Sequence, residues 1–202
     1  MKWVRTPNWI KWAFPQLVWD VPTDTKKIYL TFDDGPTPGV TPQVLALLVK
    51  YNAKATFFCL GAKAKEHTEI MAEIRAAGHS VGNHGYQHLS GFLTSYRKYI
   101  ENVRLGEQFA GSKLFRPPYG RITPRQIHRL RKDHKIIMWS VMSMDFDRQV
   151  SPEQCFRNVI DNIKPGAIVV FHDMEKAKVN VLLVLPMLLS LLKENGYETS
   201  AL

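Results

Sequence analysis

Short β-rich apolar runs alternate with helical patterns along almost the whole chain, and that alternation admits few architectures. A strand followed by a helix and another strand pairs in parallel, because the helix carries the chain back to the starting side. Runs at 27–32, 55–59, 79–82, 114–116, 136–139 and 167–171, with a last one near Tyr197, predict about seven parallel strands in an α/β fold. Thr41-Pro42, Thr123-Pro124 and Ser151-Pro152 predict helix starts, the hydroxyl capping free N–H groups and Pro occupying the first turn. Gln126 and Gln154 add capping-box spacing to the latter two. Gly78, Gly111 and Gly196 fall where helices should stop, which gives about six helices. If such a sheet closes, catalytic groups gather at the carboxyl ends of its strands.

No linker, repeat or low-complexity tract marks a boundary, so residues 1–202 are expected to form one catalytic domain. Residues 1–26 are expected to pack on it as an N-terminal extension. Four of the five tryptophans, Trp3, Trp9, Trp12 and Trp19, lie in that extension near Lys2, Arg5 and Lys11. They could form an interfacial patch; the spacing of Trp9 and Trp12 favours packing both against the barrel. Arg5, Pro7, Asn8, Lys11 and Pro15 interrupt the first 19 residues, leading to the expectation of no cleaved signal and a cytoplasmic protein. The run 181–192 is too short to span a bilayer, so no membrane insertion is expected. Cys59 and Cys155 form neither a disulfide framework nor a metal-binding pair.

Lys and Arg number 27 against 18 Asp and Glu, a net charge of +9 that favours polyanions in general. Arg125, Arg129 and Lys132, with Arg121 just ahead, form the densest basic stretch and read as a solvated helix face. No nucleic-acid motif accompanies them, so no nucleic-acid partner is expected.

Candidate chemistry begins at Asp33-Asp34-Gly35-Pro36, directly after the first strand. Alone this is a polar turn, but neighbouring carboxylates at a strand end can point apart, one to a cation and one to a proton. His84 and His88 follow the third strand, and histidines four apart on a helical turn can ligate one metal. Two His and one Asp leave coordination positions open, as catalytic sites do. Arg116, Tyr119, Asp145 and His172 follow later strands. Each alone has a structural explanation; together they stand where a closed barrel would place a site.

From Ile28 to about Tyr197 the chain resembles the polysaccharide deacetylases of carbohydrate esterase family four, the nodulation-protein-B-like domains, through five motifs in order. The resemblance implies a distorted, incomplete (β/α) barrel. It implies metal ligation by Asp34, His84 and His88, with zinc expected and cobalt, manganese or nickel as alternatives. Asp33 then corresponds to the general base and Arg116 to the residue that holds it. The Tyr119 N–H corresponds to an oxyanion donor, His172 to the general acid and Asp145 to the carboxylate that orients it. Val170 and Phe171 would lie along the acetyl pocket. The chain departs from many members at Met142, where they carry an acid, at Phe146, where they carry Trp, and at Gly85, where they carry Ser or Thr.

The expected activity is metal-dependent removal of acetyl groups from N-acetylglucosamine-containing glycans or oligosaccharides. Two other readings compete: hydrolysis of another amide or an O-acetyl ester at the same site, and a silent glycan- or surface-binding protein.

Overall fold

The computed structural model describes residues 3–202. Met1 and Lys2 lie outside the described residues. The strands are β1 (Lys27–Asp33), β2 (Ala55–Cys59), β3 (Ser80–Asn83), β4 (Leu114–Phe115), β5 (Lys135–Ile136), β6 (Val141–Met142), β7 (Ile168–His172) and β8 (Glu198–Thr199). Seven of them curl in the order β5-β4-β3-β2-β1-β7-β6, every pairing parallel, into an incomplete α/β barrel. The short β8 joins the foot of β1.

The expected strand at 136–139 is split in two. Its first half pairs with β4, whereas Val141 and Met142 pair with β7. Residues 137–140 cross the gap between the sheet's two edges, with the Ile137 N–H donating to Phe115 at the end of β4 (2.8 Å) and the Ser140 N–H to Ile168 of β7 (3.1 Å). The N-terminal segment supplies further partners along this crossing. The Val18 N–H donates to the Ile136 carbonyl (2.9 Å), Met138 N–H to Val18 (2.7 Å) and Thr6 N–H to Ser140 (3.0 Å).

Strand alternation sorts side chains between two buried faces. Ile28, Leu30, Phe32, Phe57, Val169 and Phe171 face the helices and form the main core. Tyr29, Phe58 and Ile168 meet in a separate cluster on the other face. This corrects one expectation about the acetyl pocket: Phe171 stacks on Phe32 in the helix-side core, 6.0 Å between ring centroids. Successive strand residues cannot share a face, so Val170 alone packs with Met142 and Met144.

The helices are α1 (Asn8–Ala13), α2 (Thr41–Lys50), α3 (Gly61–Glu66), α4 (Thr68–Ala76), α5 (Tyr96–Ala110), α6 (Pro124–Leu130), α7 (Pro152–Ile160) and α8 (Lys178–Glu194). α6 opens with a complete capping box between Thr123 and Gln126. At α7 the box is half made: Ser151 Oγ accepts from the Gln154 N–H, but the Gln154 amide turns to Asn158. Thr41 is not a cap. It lies inside α2, accepts from the Thr37 N–H (2.7 Å) and donates to Asp173 (2.6 Å). Gly78, Gly111 and Gly196 all take positive φ, as helix stops require.

The packing expected of Trp9 and Trp12 is also corrected, since they are 60% and 77% exposed. Ile10 and Phe14, four apart, take the inward face and leave the tryptophans outward. Leu17 and Trp19 are the buried anchors, and the Trp19 Nε1–H donates to the Phe14 carbonyl (3.0 Å). Among the described residues no helix is long and apolar enough to cross a membrane. Both cysteines are buried and free.

Candidate active site

Asp33 ends β1 with the end of β2 on one side and His172, the last residue of β7, on the other. Its Oδ1 accepts from Arg116 Nη1 at 2.7 Å. Arg116 has no exposed surface, and each of its nitrogens makes a hydrogen bond. Nη1 reaches Thr31 Oγ1 (2.7 Å), Nη2 the Met138 carbonyl (2.9 Å) and Nε the Ile137 carbonyl (3.4 Å). The guanidinium also lies 4.1 Å from the Phe58 ring centroid. A buried cation held this way fixes the orientation of the Asp33 carboxylate.

Asp34 turns away from its neighbour because its backbone is left-handed, φ 76°. Its Oδ1 lies 3.6 Å from His84 Nε2 and 3.2 Å from His88 Nε2. The histidines are not on a helical turn. They sit on a bent loop that leaves β3 through Gly85 at φ 83°, and this loop brings their ring centroids within 5.2 Å.

The His84 tautomer follows from its surroundings. Nδ1 is 2.8 Å from the Arg116 carbonyl, which can only accept, so Nδ1 carries the proton. Burial pushes His84 down to about 3, so near neutral pH the ring is uncharged and Nε2 presents a lone pair. Burial also lowers His88. Lone pairs from an imidazole and a carboxylate thus converge, and buried Asp34 Oδ1 has no hydrogen-bond partner. Ligand atoms of Asp34, His84 and His88 lie within 4.8 Å of one another, and the set suits a divalent cation. The Arg116 carbonyl that orients His84 acts as outer support for such a ligand.

Opposite stands His172. Its Nδ1 is 2.7 Å from Asp145 Oδ1, and its backbone N–H donates to Oδ2 (2.7 Å), so one carboxylate grips the residue twice. Burial works against charge on the imidazole, but the Asp145 charge and hydrogen bond outweigh it and raise His172 to about 9. Asn180 supports this pair by donating to the Asp145 carbonyl (3.0 Å). The Phe146 ring meets His172 edge-on, 4.9 Å between centroids. Met142 stands among apolar neighbours, where an acid would be poorly solvated.

Tyr119 takes φ 60° between Pro118 and Gly120, and its ring lies 4.2 Å from that of His88. Trp139, a strand end in the sequence, packs its ring against Gly120 and lies 5.9 Å from the Arg116 guanidinium.

Asp173 was missed by sequence reasoning. It is fully buried, and its N–H donates to the Asp33 carbonyl (3.1 Å). Its carboxyl accepts from Thr41, which ties down the loop that carries both aspartates. Burial raises this carboxyl to about 7. An acid directly after His172, at the end of a buried apolar run, was the available signal. Nothing in the sequence marked Asn180.

Residues 20–136 match the family model described as polysaccharide deacetylase. The chain belongs to the polysaccharide deacetylase family. A peptidoglycan-N-acetylglucosamine deacetylase of Bacillus cereus is 33% identical over 189 residues, covering 90% of this chain and 88% of the relative. A chitooligosaccharide deacetylase of Azorhizobium caulinodans is 34% identical over 157 residues, 72% of this chain and 73% of the relative. The crystal structure of the Bc1960 peptidoglycan N-acetylglucosamine deacetylase superimposes with a TM-score of 0.86 at 30% identity, covering 98% of this chain and 95% of that one. This family member thus shares the fold of a deacetylase over nearly its whole length.

Proposed function

We propose that this polysaccharide deacetylase family member hydrolyses the acetamide of N-acetylglucosamine units in glycans, releasing acetate and a glucosamine unit. The observation that carries the reading is the placement of two differently held groups around one cluster of metal-binding lone pairs. Asp33 is ion-paired with Arg116 at 2.7 Å, and His172, raised by the Asp145 charge beside it, pairs with that carboxylate at 2.7 Å.

A divalent cation, zinc in this reading, held by Asp34, His84 and His88, supplies Lewis-acid polarisation of the acetyl carbonyl and makes water more acidic. Asp33 removes the proton from the attacking water, while Arg116 keeps the carboxylate in place. The water oxygen bonds to the carbonyl carbon, and the Tyr119 N–H donates to the oxygen that gathers negative charge. As the C–N bond breaks, His172 passes its Nε2 proton to the departing amine, because Nδ1 is engaged by Asp145. Val170 and Met142 provide an apolar wall suited to a methyl group.

The test is acetate release from N-acetylglucosamine oligomers by purified protein reconstituted in turn with zinc, cobalt, manganese and nickel, alongside O-acetyl esters and unrelated amides. Metal analysis of the His84→Ala/His88→Ala double variant should show both metal and activity lost. Stoichiometric metal in that variant would refute the ligand assignment. Activity confined to esters or other amides would refute the substrate assignment, and a wild type inert on every substrate would favour a silent binder.

A further inference from the structure

Outside the site, a groove of about 600 Å³ runs between α5 and α6, lined by Tyr96, Arg97, Ile100, Glu101, Arg104 and Arg129 among others. Arg97, Glu101 and Arg104 are spaced to share one face of α5. On α6, Arg125 lies 4.3 Å above the ring of Tyr96, a groove-lining residue, and adds a further guanidinium beside the groove. Arg129 is paired with Asp133 at 2.6 Å, whereas Arg97, Arg104 and Arg125 make no ion pair among the described residues. Three unneutralised guanidinium groups therefore stand against one carboxylate, that of Glu101.

The two helices that bound the groove both start from site-bearing loops. α5 follows the loop that carries His88, and α6 follows the loop that carries Tyr119. These two loops are tied together: the Gly91 N–H donates to the Arg121 carbonyl (3.0 Å), and the Gln126 amide donates to the Gly91 carbonyl (2.9 Å). A polymer whose acetamide sits between Asp33 and His172 can thus lay neighbouring units along the rim toward Arg125 and Arg97. Guanidinium groups bind carboxylates through paired hydrogen bonds, whereas a neutral sugar gives them no charge to meet.

From this we infer that the α5–α6 groove is a docking site for carboxylate groups on the substrate, and that the enzyme prefers an anionic N-acetylated glycan to a neutral one of equal length. The inference rests on the deacetylase reading and chooses between the two substrate types on which its relatives are named.

The experiment compares a chitooligosaccharide with a peptidoglycan-derived oligosaccharide of equal sugar count that retains its carboxylates. Both are tested on wild type and on Arg97→Glu/Arg104→Glu, whose altered residues are exposed and outside the catalytic machinery. Losing these charged contacts should lower kcat/KM on the carboxylated oligomer about tenfold and leave the chitooligosaccharide unchanged. High salt should erase the wild type's preference. Equal losses on both substrates, or none on the carboxylated one, overturn the inference. Equilibrium binding of the carboxylated oligomer to the same two proteins, compared by melting temperature to verify folding, keeps this test separate from catalysis. If wild type cleaves neither oligomer the deacetylase reading fails, while binding that is unchanged by the double substitution overturns the groove on its own.

Discussion

Arg116 shows how a buried charge can be tolerated when each of its nitrogens has a partner. Its interactions with Asp33, Thr31 and two carbonyls offset the cost of leaving water. Arg116→Ala strands the Asp33 carboxylate, and denaturant unfolding should show a loss of about 3–5 kcal/mol. His172 gives a prediction in pH. Its folded value, about 9, lies above its ordinary 6.5, so the stability it contributes is full below 6.5 and is lost as pH rises through about 9. As the proton donor it should also give kcat/KM an alkaline limb near that value, which Asp145→Asn should move to lower pH. An acetylated substrate whose leaving group needs no proton should partly rescue His172→Ala but not Asp33→Asn. Equal rescue of both would show that the roles are misassigned. The residues that perform these steps were legible because each ends a strand or lies shortly after one. Asp173 was harder to find because its partner Thr41 is 132 positions away, and a contact of that kind leaves no local pattern.

The loops and strand starts hold the next set of constraints. A Cβ added at Gly35 would sit 1.9 Å from Asp173 Oδ2, so the aspartate-bearing turn and the end of β7 are packed to contact. Gly35→Ala should therefore weaken metal retention and lower the melting temperature, and pairing it with Asp173→Ala should recover part of the fold. At the head of β3, His79 accepts from the Ala55 N–H and helps join β2 to β3. Burial lowers it to about 4, so its stabilising effect is present above 6.5 and is lost as pH falls from there through about 4. Thermal melts across that window should show stability falling, with a flatter profile for His79→Gln. The long buried runs at β1, β2 and β7 were legible from apolar content alone. The division between β5 and β6 was not, because two-residue strands carry no periodicity and the break at 137–140 reflects barrel curvature. The bent path from His84 to His88 was hidden in the same way, since a spacing of four suits a helix or a turn equally well.

At the scale of the whole molecule, the N-terminal segment determines how the two sheet edges are held. Val4 and Thr6 bond along the outer side of β6, Val18 fills the gap beside residues 136–138, and the Val21 N–H reaches the Gly166 carbonyl (2.8 Å) below β7. The chain therefore supplies, from its own start, the backbone partners that an incomplete barrel leaves open. Its fastening is Trp19, 8% exposed, packed with Leu17, Ile136 and Met138 and hydrogen-bonded to Phe14. Trp19→Ala should cost about 3–5 kcal/mol in denaturant unfolding, the usual cost of emptying a buried aromatic position. Trp9→Ala/Trp12→Ala removes more aromatic surface in total, yet those rings face outward and their loss should stay within about 0.5 kcal/mol. The order of these two effects reverses the one implied by helical spacing, which identifies residues that share a face but not the side that face takes. Comparable destabilisation by the two changes would mean that α1 is packed more deeply than described and that the barrel's gap is held by the whole segment. A large effect from Trp19→Ala alone would place the fastening at residues 17–21, beside the strand edges they bridge.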